Sequence, residues 1–213
     1  MPTGAVSRET RGSVVTDLIA EAAALGVVLD AEAAARLEVF EALLAERAVP
    51  MGLVAEGDAD RIHDRHVLDC LRAAALVRPT DRTACDLGSG AGLPGLIVAI
   101  AAPRLAVTLA EVRDRRAGFL ELAVERLGLT SVRVHLGRAE DLAGPFDVCF
   151  ARAFRSAQES WGIAAPLLAP GGRLVYFAGE GEGSEPPAVP GATVELAKSP
   201  LASGGALAII SAS

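Results

Sequence analysis

Four glycines fall within eight residues in the run Asp86-Leu-Gly-Ser-Gly-Ala-Gly-Leu-Pro-Gly95, which follows the apolar stretch Thr83–Leu87. Glycines at such a turn let the backbone bend tightly and approach a ligand with no Cβ in the way. Glu111 ends the next apolar stretch about 20 residues on, where a carboxylate can take both ribose hydroxyls of an adenosine. Gly137-Arg-Ala-Glu-Asp141 follows a third such stretch and is placed to line an adenine. The chemistry these residues could do together is to hold an adenosine-bearing cofactor, with Asp86, Gly88, Gly90, Gly92, Leu93, Glu111, Ala139 and Glu140 as the candidates.

The turn admits more than one ligand. Gly90, Gly92 and Gly95 also satisfy G-x-G-x-x-G, so a dinucleotide is a rival, and a glycine turn with no ligand is the plainest alternative. Asp86 just ahead of the glycines would repel a pyrophosphate, but it suits the cationic amino-acid end of S-adenosylmethionine, directly or through water.

The elements that must position these residues alternate. Strands are expected over Thr83–Leu87, Ala106–Ala110, Val132–Leu136, Phe146–Ala151 and Arg173–Phe177, with helices over Pro94–Ala101, Arg113–Leu127 and Ala157–Leu168. Pro94 suits a first helical turn, where its missing N–H would be unpaired anyway. Strands alternating with helices give a parallel sheet covered on both faces, with ligands bound beyond the carboxyl ends of its strands. Two further strands, Thr193–Ala197 and Ala206–Ser211, are joined by Ser199-Pro-Leu-Ala-Ser-Gly-Gly205 with no helix between, so they pair antiparallel. The expected fold is therefore a doubly wound, mostly parallel, seven-stranded Rossmann-like sheet ending in an antiparallel hairpin, the methyltransferase variant of that architecture.

Ahead of the sheet stand helices over Val14–Leu25, Ala31–Ala48 and Ala59–Val77, with Asp30 as N-cap of the second. The division expected is a helical extension over 1–78 and a cofactor-binding domain over 79–213. Gly179-Glu-Gly-Glu-Gly-Ser-Glu-Pro-Pro187 reads as a flexible acidic loop.

Net charge is −7, unpromising for a nucleic-acid binder until its distribution is considered. Residues 1–60 hold four Arg and eleven acids, residues 61–155 fourteen Arg and eleven acids, and residues 156–213 two cations and five acids. A polyanion could meet the basic middle segment alone. Arg113, Arg115 and Arg116 open a helix, where the dipole disfavours cations, and this raises the prospect of an anionic partner. Cys70, Cys85 and Cys149 are scattered without CxxC spacing, which fits reduced thiols in a cytoplasmic protein, with no metal site. No apolar run reaches membrane-spanning length and the first ten residues have no apolar core, so neither a membrane span nor a secretory signal is expected.

Several ordered motifs resemble one family, the ribosomal small-subunit methyltransferase G family, also called glucose-inhibited division protein B. They run from about Gly52 to Gly179: Arg65-His66-Val-Leu-Asp69, the glycine run 86–95, Arg115-Arg116 before Phe119-Leu120, Gly137-Arg-Ala-Glu140, Arg152-Ala153, and Trp161 ahead of Pro166-Leu-Leu-Ala-Pro-Gly171. The resemblance implies an enzyme that uses S-adenosylmethionine to methylate N7 of a guanine in 16S rRNA. By position it implies that Gly88, Leu93, Ala139, Glu140 and Arg152 contact the cofactor, with Arg152 as the active-site guanidinium. Arg65, His66, Arg115, Arg116 and Arg155 are the expected RNA-facing residues, and 16S rRNA or the small subunit the expected partner. This chain departs from the pattern at Phe177-Ala178-Gly179, where the family has Leu-Lys-Gly, and at Gly52-Leu53-Val54 in place of Asn-Leu-Thr. A divergent paralogue acting on another RNA or a small molecule, and a non-catalytic cofactor-binding module, are the alternatives.

Overall fold

The computed structural model describes residues 17–179, 185–197, 201 and 204–213. The expected helix start at Val14, most of the acidic loop and part of the loop between the last strands lie outside the described residues.

Among the described residues seven strands form one sheet: β1 (Thr83–Leu87), β2 (Ala106–Glu111), β3 (Val132–Leu136), β4 (Phe146–Ala151), β5 (Leu168–Phe177), β6 (Ala192–Ala197) and β7 (Leu207–Ala212), in the order β3-β2-β1-β4-β5-β7-β6. Strands β1 to β5 pair in parallel, and β7 runs antiparallel between β5 and β6. The expected doubly wound sheet with an antiparallel terminal hairpin is the observed one. The order reverses beside β1, which places the glycine turn at the switch point where such sheets bind ligands.

Helix α1 covers residues 17–24. It is followed by α2 (Ala31–Leu43), α3 (Asp69–Ala74), α4 (Gly95–Ala101), α5 (Asp114–Leu127) and α6 (Ala157–Ala164). The Asp30 carboxylate accepts from the Ala33 amide at 2.7 Å and caps α2 as expected. Gly128 closes α5 in the left-handed region at φ 63°, and Ser156 with Glu159 forms a capping box on α6.

Helix α4, Gly95-Leu-Ile-Val-Ala-Ile-Ala101, has no polar residue on any side, the signature of a helix buried all round. The sheet covers one side of it, and α2 and α3 of the extension cover the other. A single apolar core accordingly runs from Leu37, Phe40 and Leu71 through Ile97 and Ile100 to Leu109 and Phe150. The opposite sheet face carries α6 over Cys85, Cys149 and Leu174.

Four expected elements differ in detail. The third helix, expected as one α-helix over Ala59–Val77, is a 3-10 stretch Glu56–Arg61, a π-helical stretch Ile62–Leu68 and then α3. Helix α2 likewise runs on into the π-helical Leu44–Ala48. Helix α6 gives way to a 3-10 turn, Ala165–Leu167, at Pro166, and β5 begins at Leu168 instead of Arg173. The cause is a bulge: Phe146 pairs with Leu168 but Val148 pairs with Arg173, and Gly171 absorbs the extra chain at φ 77°.

Candidate cofactor and acceptor site

The turn after β1 is held from beneath and from one side. Gly88, Gly90 and Gly92 all adopt positive φ, at 70°, 55° and 83°. The Ser89 amide donates to the Ala110 carbonyl at 2.9 Å, tying the turn to β2. Asp86 is buried, and its Oδ2 accepts from the Gly95 amide at 3.1 Å, the first residue of α4. Burial pushes the Asp86 carboxyl up to about 7, against the opposing pull of hydrogen bonds from Ser89 and Gly95. A Cβ on Gly95 would sit 2.6 Å from that carboxylate, so only glycine lets the helix start so close.

Glu111, at the end of β2, is 4 % exposed. Its Oε2 accepts from the Gly90 amide at 3.1 Å and its Oε1 from the Arg113 amide at 2.9 Å, while Arg116 Nη1 stands 3.9 Å from Oε2. One carboxylate thus fixes the glycine turn relative to the loop after β2. These groups open onto a cavity of about 550 Å³ whose walls include Gly88, Glu111, Val112, Arg116, Ala139 and Glu140. Arg138 pairs with Glu140 at 3.0 Å, and the Glu140 carboxyl is held below its ordinary range by its own backbone amide and then by Arg138.

A second cavity, of about 480 Å³, lies beside the first and shares Ala153 with it. Asp58, Arg65, His66 and Asp69 from the extension line one part, and Arg152, Phe177 and Ala178 from the sheet another. Arg152 is the junction. Its Nε donates to Asp69 Oδ2 at 3.3 Å, and its Nη2 donates to the Arg65 carbonyl at 3.1 Å and to His66 Nδ1 at 3.0 Å. Its guanidinium also lies 5.8 Å from the centre of the Phe177 ring. Asp69 is bonded on its other oxygen by Arg72. Beneath them Cys70 is fully buried, its thiol pushed up to about 12 by burial, so it stays protonated.

Ala153 has φ 50°, among the described residues the one non-glycine with positive φ. The next ring, Phe154, packs over the glycine turn so closely that a Cβ on Gly88 would meet it at 2.4 Å. Arg155 stacks on the same ring, 5.4 Å from its centre.

Of the expected cofactor residues, Gly88, Glu111, Ala139 and Glu140 line the first cavity and Arg152 the second. Asp86, Gly90, Gly92 and Leu93 line neither: Asp86 and Gly90 are bonded within the turn, and Gly92 and Leu93 are packed into the core. Of the expected RNA-facing residues, Arg65 and His66 line the second cavity, Arg116 and Arg155 the first, and Arg115 neither. Asp58 and Phe154 were not singled out by sequence. Phe154 adjoins Arg152-Ala153 and was within reach of that motif, whereas Asp58 is brought to His66 only by the 3-10 and π-helical path between them.

Residues 33–190 match the family described as GidB, rRNA small subunit methyltransferase G. The chain is 42 % identical over 146 residues to the ribosomal RNA small subunit methyltransferase G of Mycolicibacterium gilvum, covering 66 % of this chain and 63 % of that one. Against the protein of the same name from Kineococcus radiotolerans it is 38 % identical over 191 residues, covering 87 % and 75 %. The match to the Nocardioides protein, 43 % identical, covers 60 % of that relative, so the chain spans about three-fifths of the length of several curated relatives. Among solved structures, a ribosomal protein L11 methylase from Lactobacillus delbrueckii superposes with a TM-score of 0.51 at 12 % identity, over 68 % of this chain and 77 % of that one. That likeness is one of fold.

Proposed function

The chain belongs to the rRNA small subunit methyltransferase G family, and from that premise we propose that it transfers a methyl group from S-adenosylmethionine to N7 of a guanine in 16S rRNA. What carries the reading is the pair of adjoining cavities that meet at Ala153 beside Arg152, a seat for a cofactor next to a seat for an acceptor. The first has a volume ordinary for small-molecule sites, roughly 300–1,000 Å³. Its residues fit the cofactor: the glycine turn offers close backbone approach, and Glu111, already oriented by two amides, has lone pairs left for ribose hydroxyls. Ala139 and Glu140, on the wall of the same cavity, would line the adenine, while Asp86 and Leu93 would support the turn from the core.

When bound, S-adenosylmethionine supplies an electrophilic methyl group on a sulfonium. Guanine N7 carries a free in-plane lone pair, so no side chain has to remove a proton, and the chain's work is positioning and electrostatics. Arg152 would face the acceptor with much of its charge answered by Asp69, which limits its opposition to the positive charge that develops on the base. Arg65, His66, Arg115, Arg116 and Arg155 would meet the RNA, the four arginines binding phosphates with release of counterions. In this reading the domain over 79–213 holds the cofactor, the extension over 1–78 supplies through Asp58 to Arg72 one wall of the acceptor seat, and the protein works where ribosomes are assembled, in the cytoplasm. Among the described residues no helix is long and apolar enough to cross a membrane, and no cluster of His, Cys, Asp and Glu could hold a metal ion.

The test is transfer from labelled S-adenosylmethionine to purified 30S subunits, with 16S rRNA digested and examined for 7-methylguanosine. No transfer by a protein that binds S-adenosylhomocysteine would overturn the reading. Ala178 favours a second one, because it lines the acceptor cavity where the resemblance leads one to expect a lysine. A paralogue acting on another RNA would methylate total RNA but not 30S subunits.

A further inference from the structure

The acceptor cavity holds two polar groups without an assigned task, the His66 ring Nε2 and the Asp58 carboxylate. His66 is 7 % exposed. A guanidinium only donates, so the contact from Arg152 makes Nδ1 an acceptor and puts the proton of the neutral ring on Nε2. Burial, followed by the nearby Arg152 charge, holds the ring below its ordinary pKa and keeps it neutral. Yet among the described residues Nε2 has no hydrogen-bond partner, although Asp58 Oδ2 is 3.5 Å away. A buried N–H without an acceptor is rare in folded proteins. Among the described residues the Asp58 carboxylate is held by that contact and by Arg65 Nε at 3.3 Å from Oδ1, in contrast to Asp69, whose two oxygens are taken by Arg72 and Arg152. A donor and an under-used acceptor therefore stand side by side on one wall.

We propose that this pair reads the six-position and one-position edge of the acceptor base: the His66 Nε2–H donates to guanine O6, and Asp58 accepts from guanine N1–H and the 2-amino group. The inference rests on the second cavity being the acceptor seat. Guanine presents an acceptor and then donors along this edge. Adenine presents a donor and then an acceptor, which would set donor against donor and carboxylate against lone pair. Uracil shares guanine's order but has no N7 to alkylate. With that edge held by the extension, N7 lies on the other edge of the purine, free to meet the methyl donor. Alkylation at N7 makes the ring cationic and its N1–H more acidic, so the hydrogen bond to Asp58 strengthens as the reaction proceeds, with no proton leaving the base.

The experiment measures binding of GMP, IMP and AMP to the full chain in the presence of S-adenosylhomocysteine, for the wild type, Asp58→Asn and Asp58→Glu. The wild type is expected to bind GMP at least tenfold more tightly than AMP, with IMP, which lacks the 2-amino group, between them. Asp58→Asn should bring the GMP-to-AMP ratio close to one with S-adenosylhomocysteine affinity unchanged, which also reports an intact fold, and Asp58→Glu should keep most of the preference. Equal binding of GMP and AMP by the wild type, or an undiminished preference in Asp58→Asn, would overturn the inference. A wild type that prefers GMP yet transfers nothing to 30S subunits would support the base reading and overturn the rRNA assignment alone.

Discussion

Arg152 and Asp69, 83 positions apart, are joined by a 3.3 Å contact from Nε to Oδ2, so the end of β4 and the start of α3 share one ion pair at the wall of the acceptor cavity. The same guanidinium bonds to a ring nitrogen and a backbone carbonyl of the extension. Its planar fork suits three acceptors that an ammonium could not span together.

Arg152→Ala and Arg152→Lys should each lower kcat/KM for methyl transfer to 30S subunits by on the order of a hundredfold, the scale of misplacing the acceptor when a positioning group is lost. Steady-state kinetics with labelled cofactor check this. Wild-type kinetics in the lysine variant would show that charge alone suffices at this position.

Gly88→Val should abolish binding of S-adenosylhomocysteine. The position has φ 70°, which a β-branched residue resists, and a Cβ there would strike Phe154 at 2.4 Å. Calorimetric titration gives the answer, and unchanged affinity would move the cofactor seat away from this turn.

His63 ties the extension together: its ring nitrogens meet Glu41 at 2.6 Å and Glu21 at 2.9 Å, linking α1 and α2 to the π-helical stretch. The hydrogen bond to Glu41 leads in raising its pKa from 6.5 to about 9, against the effect of burial. A raised folded-state pKa means the stabilisation is fully present below pH 6.5 and is lost as pH climbs through about 9. The ring is partly solvated, so screening reduces the size of the effect. Urea midpoints at the two pH values should fall further for the wild type than for His63→Gln. Parallel behaviour of the two proteins would mean that the clamp contributes nothing.

Arg173 is 2 % exposed and bonds Asp81 through both terminal nitrogens, at 3.2 and 2.7 Å, besides donating to the Leu76 carbonyl. Arg173→Met leaves the Asp81 carboxylate buried without its cation and should cost about 3–5 kcal/mol in denaturant unfolding. Arg173→Met combined with Asp81→Leu should recover a large part of that loss. A single variant of wild-type stability would show that water reaches the pair.

What the sequence made legible was what lies contiguous in the chain. The strand–turn–helix around Gly88 to Gly95, the carboxylate of Glu111 and the hairpin of β6 and β7 each depend on neighbours within a few residues, and each is where the pattern puts it. Where one extra residue or the phase of a helix decides, the pattern was silent. The π-helical stretch Ile62–Leu68 turns His66 and Asp69 toward Arg152, but an i,i+5 ladder leaves no mark in apolar spacing. The bulge at Gly171 moved the start of β5 by five residues. Arg115 and Arg116 are equivalent as composition, yet successive residues on a helix face different ways, and Arg116 alone of the two lines a cavity. A carboxylate beside glycines suggests a ligand contact, direct or through water, whereas the burial of Asp86 beneath α4 depends on packing that no local run encodes.

The all-apolar helix α4 also sets an order of events during synthesis. Helices α2 and α3 leave the ribosome before α4, and α2 also packs against α5, which emerges later still. Leu37, Phe40 and Leu71 therefore have no complete surface to bury against until translation has passed Leu127. Over that interval the nascent chain displays the apolar faces of α2 and α3, and then α4 itself, to the cell, a period in which a holding chaperone would find purchase on them.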